Sequence, residues 1–375
     1  ASGGGMASDG LPPCAVLRAW PRAWRLPALL AQGPEALLPE PRRYLHPAAE
    51  VRRTPVRGRC LVASRPLAAG ELLLVDAPLL VAGSRAELAA RARQRAEAEA
   101  PLRRSLLSLC CDEADAGLRE QALASDSAPL PARLVEGIVQ HNYHEVEPSP
   151  LEGRPTGDTA PACGLWPLGC LANHSLRPNV TRAFFGHALC VRLLRGVGAG
   201  EELVDNYLDP RLPREERVAF LHRAHGIDDE GPDDLDGPEE LFAELQRGCA
   251  EVQRQLVGGR LPEARRRLEA LAERCRGCGR RDPAFTDVLW LLADVAGELL
   301  GEPELRYEAL EAALGYATAR EPFSTVSCRL AAELLAAAEG LPGGRLREAE
   351  AVARKHVARV CGPEPELFAL LRPGP

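Results

Sequence analysis

The chain has 375 residues, enough for two domains with a sizeable core. Its 46 basic side chains against 53 acidic ones leave a net charge of -7, which argues against a protein that holds nucleic acid by neutralising phosphates and suits a basic peptide as partner. No apolar run reaches the roughly eighteen residues of a membrane span, and 12 cysteines without a secretory segment imply reduced thiols in the cytosol or nucleus.

The chain opens Ala-Ser-Gly-Gly-Gly with its sole methionine at Met6, so the true start is expected to lie outside it. Residues 1–50 read as a partly disordered leader; Arg18, Arg22 and Arg25 in an acid-free stretch leave an organelle transit peptide as the alternative. From 51 to 83 the pattern predicts short strands. Residues 57–74 are punctuated as a hairpin, with a turn from Pro66 to Gly70 and an end at Pro78. Gly58 would let the backbone approach a ligand closely. Residues 85–109, rich in Ala, Arg, Glu and Leu, predict helix, and a second helix over 129–146 opens at Pro131, so a helical insertion spans about 84–146. A Pro-, Gly- and Thr-containing loop follows over 148–161. Strands return at 180–185 and 188–194 around the two-residue turn Gly186-His187.

Residues 228–240 hold eight acids, no base and two prolines, the composition of a linker. Beyond it the chain is helical. Leu261, Ala264, Leu268, Leu271, Ala272 and Cys275 share one helix face, and Phe285, Val288, Leu289, Leu292, Val295 and Leu299 share another. Further helices are expected at 304–319, 323–339 and 344–360, which suggests stacked helical hairpins over 241–375.

Two segments stand out: Asn173-His174-Ser175-Leu176-Arg177-Pro178-Asn179, and further on Gly200-Glu201-Glu202-Leu203-Val204-Asp205-Asn206-Tyr207. With Arg57-Gly58-Arg59-Cys60-Leu61 upstream, they resemble the signature segments of a SET-domain protein lysine methyltransferase. After Tyr207, the run through Glu215-Glu216-Arg217 and Leu221 is similar to the SET and MYND subfamily. The resemblance implies an α+β chain: a SET-fold (β-clip) domain of short strands over 51–227, an acidic linker over 228–240, and an all-α tetratricopeptide-like repeat domain. It also implies S-adenosylmethionine as methyl donor. Asn173 and His174 would hold the cofactor, Arg57, Gly58, Arg59 and Cys60 would supply contacts near its methionine end, and Asn142 would be a further contact. Tyr207 would be the catalytic hydroxyl. A monomer acting on a lysine of a protein, histone or otherwise, is the implied arrangement. The other reading, a catalytically silent SET and repeat scaffold, stays open.

The chemistry explains the residue types. An ordinary lysine titrates at about 10.4, so methyl transfer needs an amine stripped of its proton by desolvation and aligned with the methyl carbon by a fixed hydroxyl.

Departures from the family pattern matter too. No zinc-finger cysteine cluster lies in 84–130, and vicinal Cys110-Cys111 does not supply four ligands. Leu176 replaces the family's zinc cysteine after Asn-His-Ser, and 222–236 contains no cysteine, so no structural zinc is expected. Ile227, with His225 two residues earlier, stands where an aromatic covers the adenine, and Cys60 stands where the family has a second glycine. Gly196-x-Gly198-x-Gly200 reads as a turn, while Cys275-x-x-Cys278, His141-x-x-His144 and His222-x-x-His225 lack the partners of a metal site.

Overall fold

The computed structural model describes residues 16–17, 43–54, 58–111, 113–125, 128–146, 149, 151, 163–228, 234–342 and 344–371. The fold is α+β. These residues divide into two compact units: one contains the described residues up to His174 together with Arg182–Asp205, the other Ser175–Thr181 and everything from Asn206 onward.

The strands, in chain order, are β1 (Val16–Leu17), β2 (Arg43–Leu45), β3 (Ala49–Thr54), β4 (Gly58–Ala63), β5 (Leu72–Asp76), β6 (Leu80–Ala82), β7 (Tyr143–Glu145), β8 (Cys163–Leu165), β9 (Asn173–His174), β10 (Val180–Phe185), β11 (Ala188–Leu193) and β12 (Glu202–Asp205). They form three small sheets in the orders β1-β2-β5-β11-β10, β3-β4-β12-β9 and β6-β8-β7. Continuous apolar runs such as Leu72-Leu73-Leu74-Val75 suit strands covered on both faces, and Leu73, Leu74 and Val75 are fully buried. Arg43 enters this core because Asp76 meets it: Nε lies 2.6 Å from Asp76 Oδ1, while Asp76 Oδ2 accepts the Leu168 and Gly169 amides at 2.6 and 3.2 Å.

Between β6 and β7 lies the insertion, made of α1 (Arg85–Ala98), α2 (Ala100–Leu107), α3 (Ala116–Leu123) and α4 (Ala132–Asn142). Leu88, Leu106, Leu134 and Ile138 form the middle of its core.

Four local expectations change. The helix over 85–109 is two helices, because Glu99 is extended and Pro101 fits only the first turn of a new one. The helix over 129–146 stops at Asn142, and Tyr143-His144-Glu145 pair with β8 instead. The leader read over 1–50 includes sheet strands at its end, since Arg43, Tyr44 and Leu45 are buried in β2. The hairpin over 57–74 does not close on itself: β4 pairs with β3 and β12, whereas β5 pairs with β2 and β11. The turn after β4 instead meets the turn before β12, through the Leu67–Val197 bridge and the Gly200 N to Ala63 O bond at 2.7 Å.

The second unit is helical: α5 (Arg214–His225), α6 (Glu239–Val257), α7 (Leu261–Gly277), α8 (Thr286–Asp294), α9 (Pro303–Ala317), α10 (Thr325–Ala338), α11 (Arg345–Val360) and the short α12 (Pro365–Ala369). From α6 to α12 each helix packs on the next. Gly248 lets α6 approach α7, where an added Cβ would come within 2.7 Å of Leu271. The apolar face of α7 is buried as its spacing predicts. On the next helix Leu299 is 49% exposed instead, because the turn over Val295–Leu300 widens to a π-helix and rotates it off the face. Within the acidic stretch read as a linker, Asp236 is buried and accepts Arg217 Nη2 at 2.6 Å and Arg320 Nη2 at 2.8 Å. Gly237 donates its amide to Asp282. Asp236 and Gly237 are therefore held by the helical unit.

Candidate functional site

The two signature segments lie on adjacent strands. Leu203 and Val204 are buried and hold β12 in the sheet, where it runs parallel to β9 with Val204 opposite Asn173 and Asp205 opposite His174. On its other edge β12 runs antiparallel to β4, with Glu202 opposite Val62 and Leu203 opposite Leu61.

Asn173 is half-buried. Its Nδ2 donates to Arg59 O at 3.2 Å and to Glu202 Oε1 at 2.8 Å. Neither a carbonyl nor a carboxylate donates in return, so the amide has one orientation. Asn173 Oδ1 accepts no hydrogen bond from a described residue. His174 is buried, and Asp205 opposite it takes Arg182 Nη1 at 2.5 Å.

Gly58 opens β4 with φ 63°, a conformation that favours glycine, and an added Cβ would meet open space. Its conformation, then, calls for glycine, not crowding. Arg57 lies outside the described residues. The Arg59 guanidinium is largely buried and has no ion-pair partner among the described residues; burial, then the Arg119 cation, pushes its pKa below the ordinary arginine value, with the Cys110 and Cys170 thiols acting the other way. Cys60 is 1% exposed and its Sγ donates to Arg52 O at 3.6 Å.

Asn142 ends α4, 4% exposed. Its Oδ1 accepts from Cys110 N at 3.3 Å, and its Nδ2 donates to Cys110 O at 2.8 Å and Ile138 O at 2.7 Å. The side chain therefore clamps the Cys110 backbone. Its own carbonyl accepts Cys170 Sγ at 3.2 Å, and burial pushes that thiol up to about 12.

Tyr207 belongs to the second unit. Asn206 precedes it, buried, with Oδ1 accepting from Leu208 N at 3.1 Å in an Asx turn and Nδ2 donating to Glu321 Oε1 at 2.6 Å. That double anchor fixes the direction in which Tyr207 leaves the chain. The half-buried Tyr207 ring lies 4.9 Å from the His225 ring, tilted by 56°, and His225 lies 5.9 Å from Phe220. His225 is the last residue of α5, which ends on the left-handed Gly226.

The structure thus gathers Gly58, Arg59, Cys60, Asn173 and His174 on one sheet, places Asn142 on α4, and puts Tyr207 against His225. Sequence reasoning missed Glu202 and Asn206. Both lay inside the quoted segment, and strand alternation sets Glu202 on the same side of β12 as Val204, the residue opposite Asn173. Among the described residues no group of three or more His, Cys, Asp or Glu side chains is placed to hold a metal ion, and no helix is long and apolar enough to cross a membrane.

Residues 58–208 match the family model described as the SET domain. Histone-lysine N-methyltransferase SMYD3 of Mus musculus is 33% identical over 99 residues, 24% of this chain and 23% of that protein. The Homo sapiens protein of the same name is 32% identical over 99 residues with the same coverage. The chain thus spans less than a quarter of the length of these relatives. Among solved structures, the SET domain of LSMT bound to lysine and AdoHcy is similar at 14% identity, covering 86% of this chain and 85% of that one, with a TM-score of 0.30, too low to carry an argument. Residues 58–208 thus match the SET-domain model, and over 99 residues the chain is similar to histone-lysine N-methyltransferases.

Proposed function

We propose that the protein transfers a methyl group from S-adenosylmethionine to a lysine side chain of a protein substrate. The observation that carries this reading is Asn173, fixed by Arg59 and Glu202 so that one carbonyl oxygen is left to accept. The residues present fit that cofactor: an acceptor at Asn173 Oδ1 for one of its N–H donors, on the amino-acid portion or the adenine side, and the Arg59 cation, which lacks an ion-pair partner among the described residues, for its carboxylate. Gly58 leaves space beside the β4 backbone. The cofactor would supply an electrophilic methyl group on a sulfonium.

Tyr207 orients the incoming amine through its hydroxyl, and its neighbours account for its rigidity: the Asx turn at Asn206 fixes the backbone and the His225 ring restrains the phenol. Asn173 and Arg59 would hold the cofactor and Tyr207 the neutral lysine amine, which would accept the methyl group while the sulfur keeps the electron pair of the broken bond and the product ammonium gives up a proton. The net charge of -7 suits a lysine-bearing, basic substrate.

The test is Tyr207→Phe. Phenylalanine keeps the ring and its packing on His225, so loss of the hydroxyl is expected in turnover, on the order of a hundredfold to a thousandfold, with cofactor affinity unchanged. Equal methylation by wild type and variant would remove Tyr207 from the chemistry. Cofactor binding without methylation of any peptide or lysate protein would favour the silent scaffold.

A further inference from the structure

We infer that Glu202 is a positioning residue of the cofactor site, which makes Asn173 an acceptor only, so that this point of the site takes a ligand N–H donor and rejects an acceptor. The inference rests on the cofactor reading above and adds to it a residue and a rule of recognition. A free asparagine side chain presents either its oxygen or its NH2 by rotating half a turn, and a ligand then meets both. Here Glu202 Oε1 at 2.8 Å and Arg59 O at 3.2 Å are both pure acceptors, and together they take the two Nδ2 protons. Rotating the amide would set Oδ1 against a carboxylate and a carbonyl, so that acceptors face an acceptor. Glu202 matters more than Arg59 in this lock because its bond is shorter and charge-assisted. Backbone register keeps it there: β12 is tied on one side to β4 and on the other to β9, so Glu202 and Asn173 reach each other across neighbouring strands. Two N–H donors of an S-adenosyl ligand could fill the place, the α-ammonium and the exocyclic amine of the adenine.

Calorimetry on the full chain distinguishes them. The probes are S-adenosylhomocysteine, its analogue without the α-amino group, and its inosine analogue without the exocyclic amine. In wild type one analogue is expected to bind at least tenfold more weakly than the parent, and that analogue names the donor. In Glu202→Ala the parent should weaken about tenfold and the penalty for the missing donor should fall below about threefold, because the freed amide rotates. In Glu202→Gln, whose side-chain oxygen still accepts from Nδ2, affinity and penalty should return to within about threefold of wild type. Circular dichroism and melting establish that each variant is folded. A folded Glu202→Ala that keeps the wild-type penalty overturns the inference. So does a folded Glu202→Gln that loses it, which stands as a test even where the alanine variant does not fold. Absence of binding by the wild type itself would instead overturn the cofactor reading, and this inference with it.

Discussion

Asn173 and Asp236 show how differently the two units use half-buried and buried polar groups. In the helical unit, Asp236 is surrounded by Arg217 and Arg320, and His356 meets Ser327 Oγ at 3.1 Å; these groups tie helices and loops to one another. On the β4-β12-β9 sheet, Glu202 and Arg59 O hold only one side of the Asn173 amide and leave its oxygen available. The difference teaches that a buried polar group is informative about function when its partners orient it without satisfying it, and about stability when they satisfy it.

The largest expected effect is on the stability side of that contrast. Asp236→Ala leaves two buried arginines without their shared carboxylate and should cost about 3 to 5 kcal/mol in denaturant unfolding. A loss under about 1 kcal/mol would mean that this cluster is solvated and ties nothing together. Next comes Tyr207→Phe, the reverse case, in which turnover falls on the order of a hundredfold or more while melting barely moves.

His356 supplies a pH test. Burial, and after it the Lys355 cation, lowers its pKa from the ordinary 6.5 to about 4. The native histidine is therefore neutral where the unfolded one takes a proton, so its contribution to stability is intact above pH 6.5 and lost as pH falls toward 4. The loss should be on the order of 3 kcal/mol across that window. His356→Leu should remove this slope, measured as the difference between wild-type and variant unfolding midpoints at pH 7 and 4.5. An unchanged difference at the two pH values would place the imidazole in contact with water.

Much of this was legible beforehand. The three segments quoted from the sequence do meet on the β4-β12-β9 sheet, and helical periodicity located the face of α7 because burial there follows a repeat of 3.6. What failed was non-local. Nothing in residues 57–74 says that β4 and β5 join different sheets, since that depends on β12 and β11 more than a hundred residues away. The linker reading of 228–240 missed Asp236 because composition counts its charge as solvated, whereas Arg217 on α5 and Arg320 in the turn after α9 meet it. Glu202 was hidden for a similar reason: its partner is Asn173, on another strand.

Asn142 sharpens the contrast from the other side, because the sequence resemblance offers it as a cofactor contact while its side chain clamps Cys110. Asn142→Ala should lose about 1 to 3 kcal/mol of stability, and the folded variant should bind S-adenosylhomocysteine within about threefold of wild type. A tenfold loss of affinity at unchanged stability would make it a ligand contact after all.

The central claim is that the oriented amide on the β4-β12-β9 sheet holds the cofactor, and titration calorimetry with S-adenosylhomocysteine on wild type and Asn173→Ala tests it directly. The account predicts saturable binding at one site in the wild type, weakened in the folded variant by about 1 to 3 kcal/mol. No heat from folded wild-type protein, or equal affinity in the two, would contradict it.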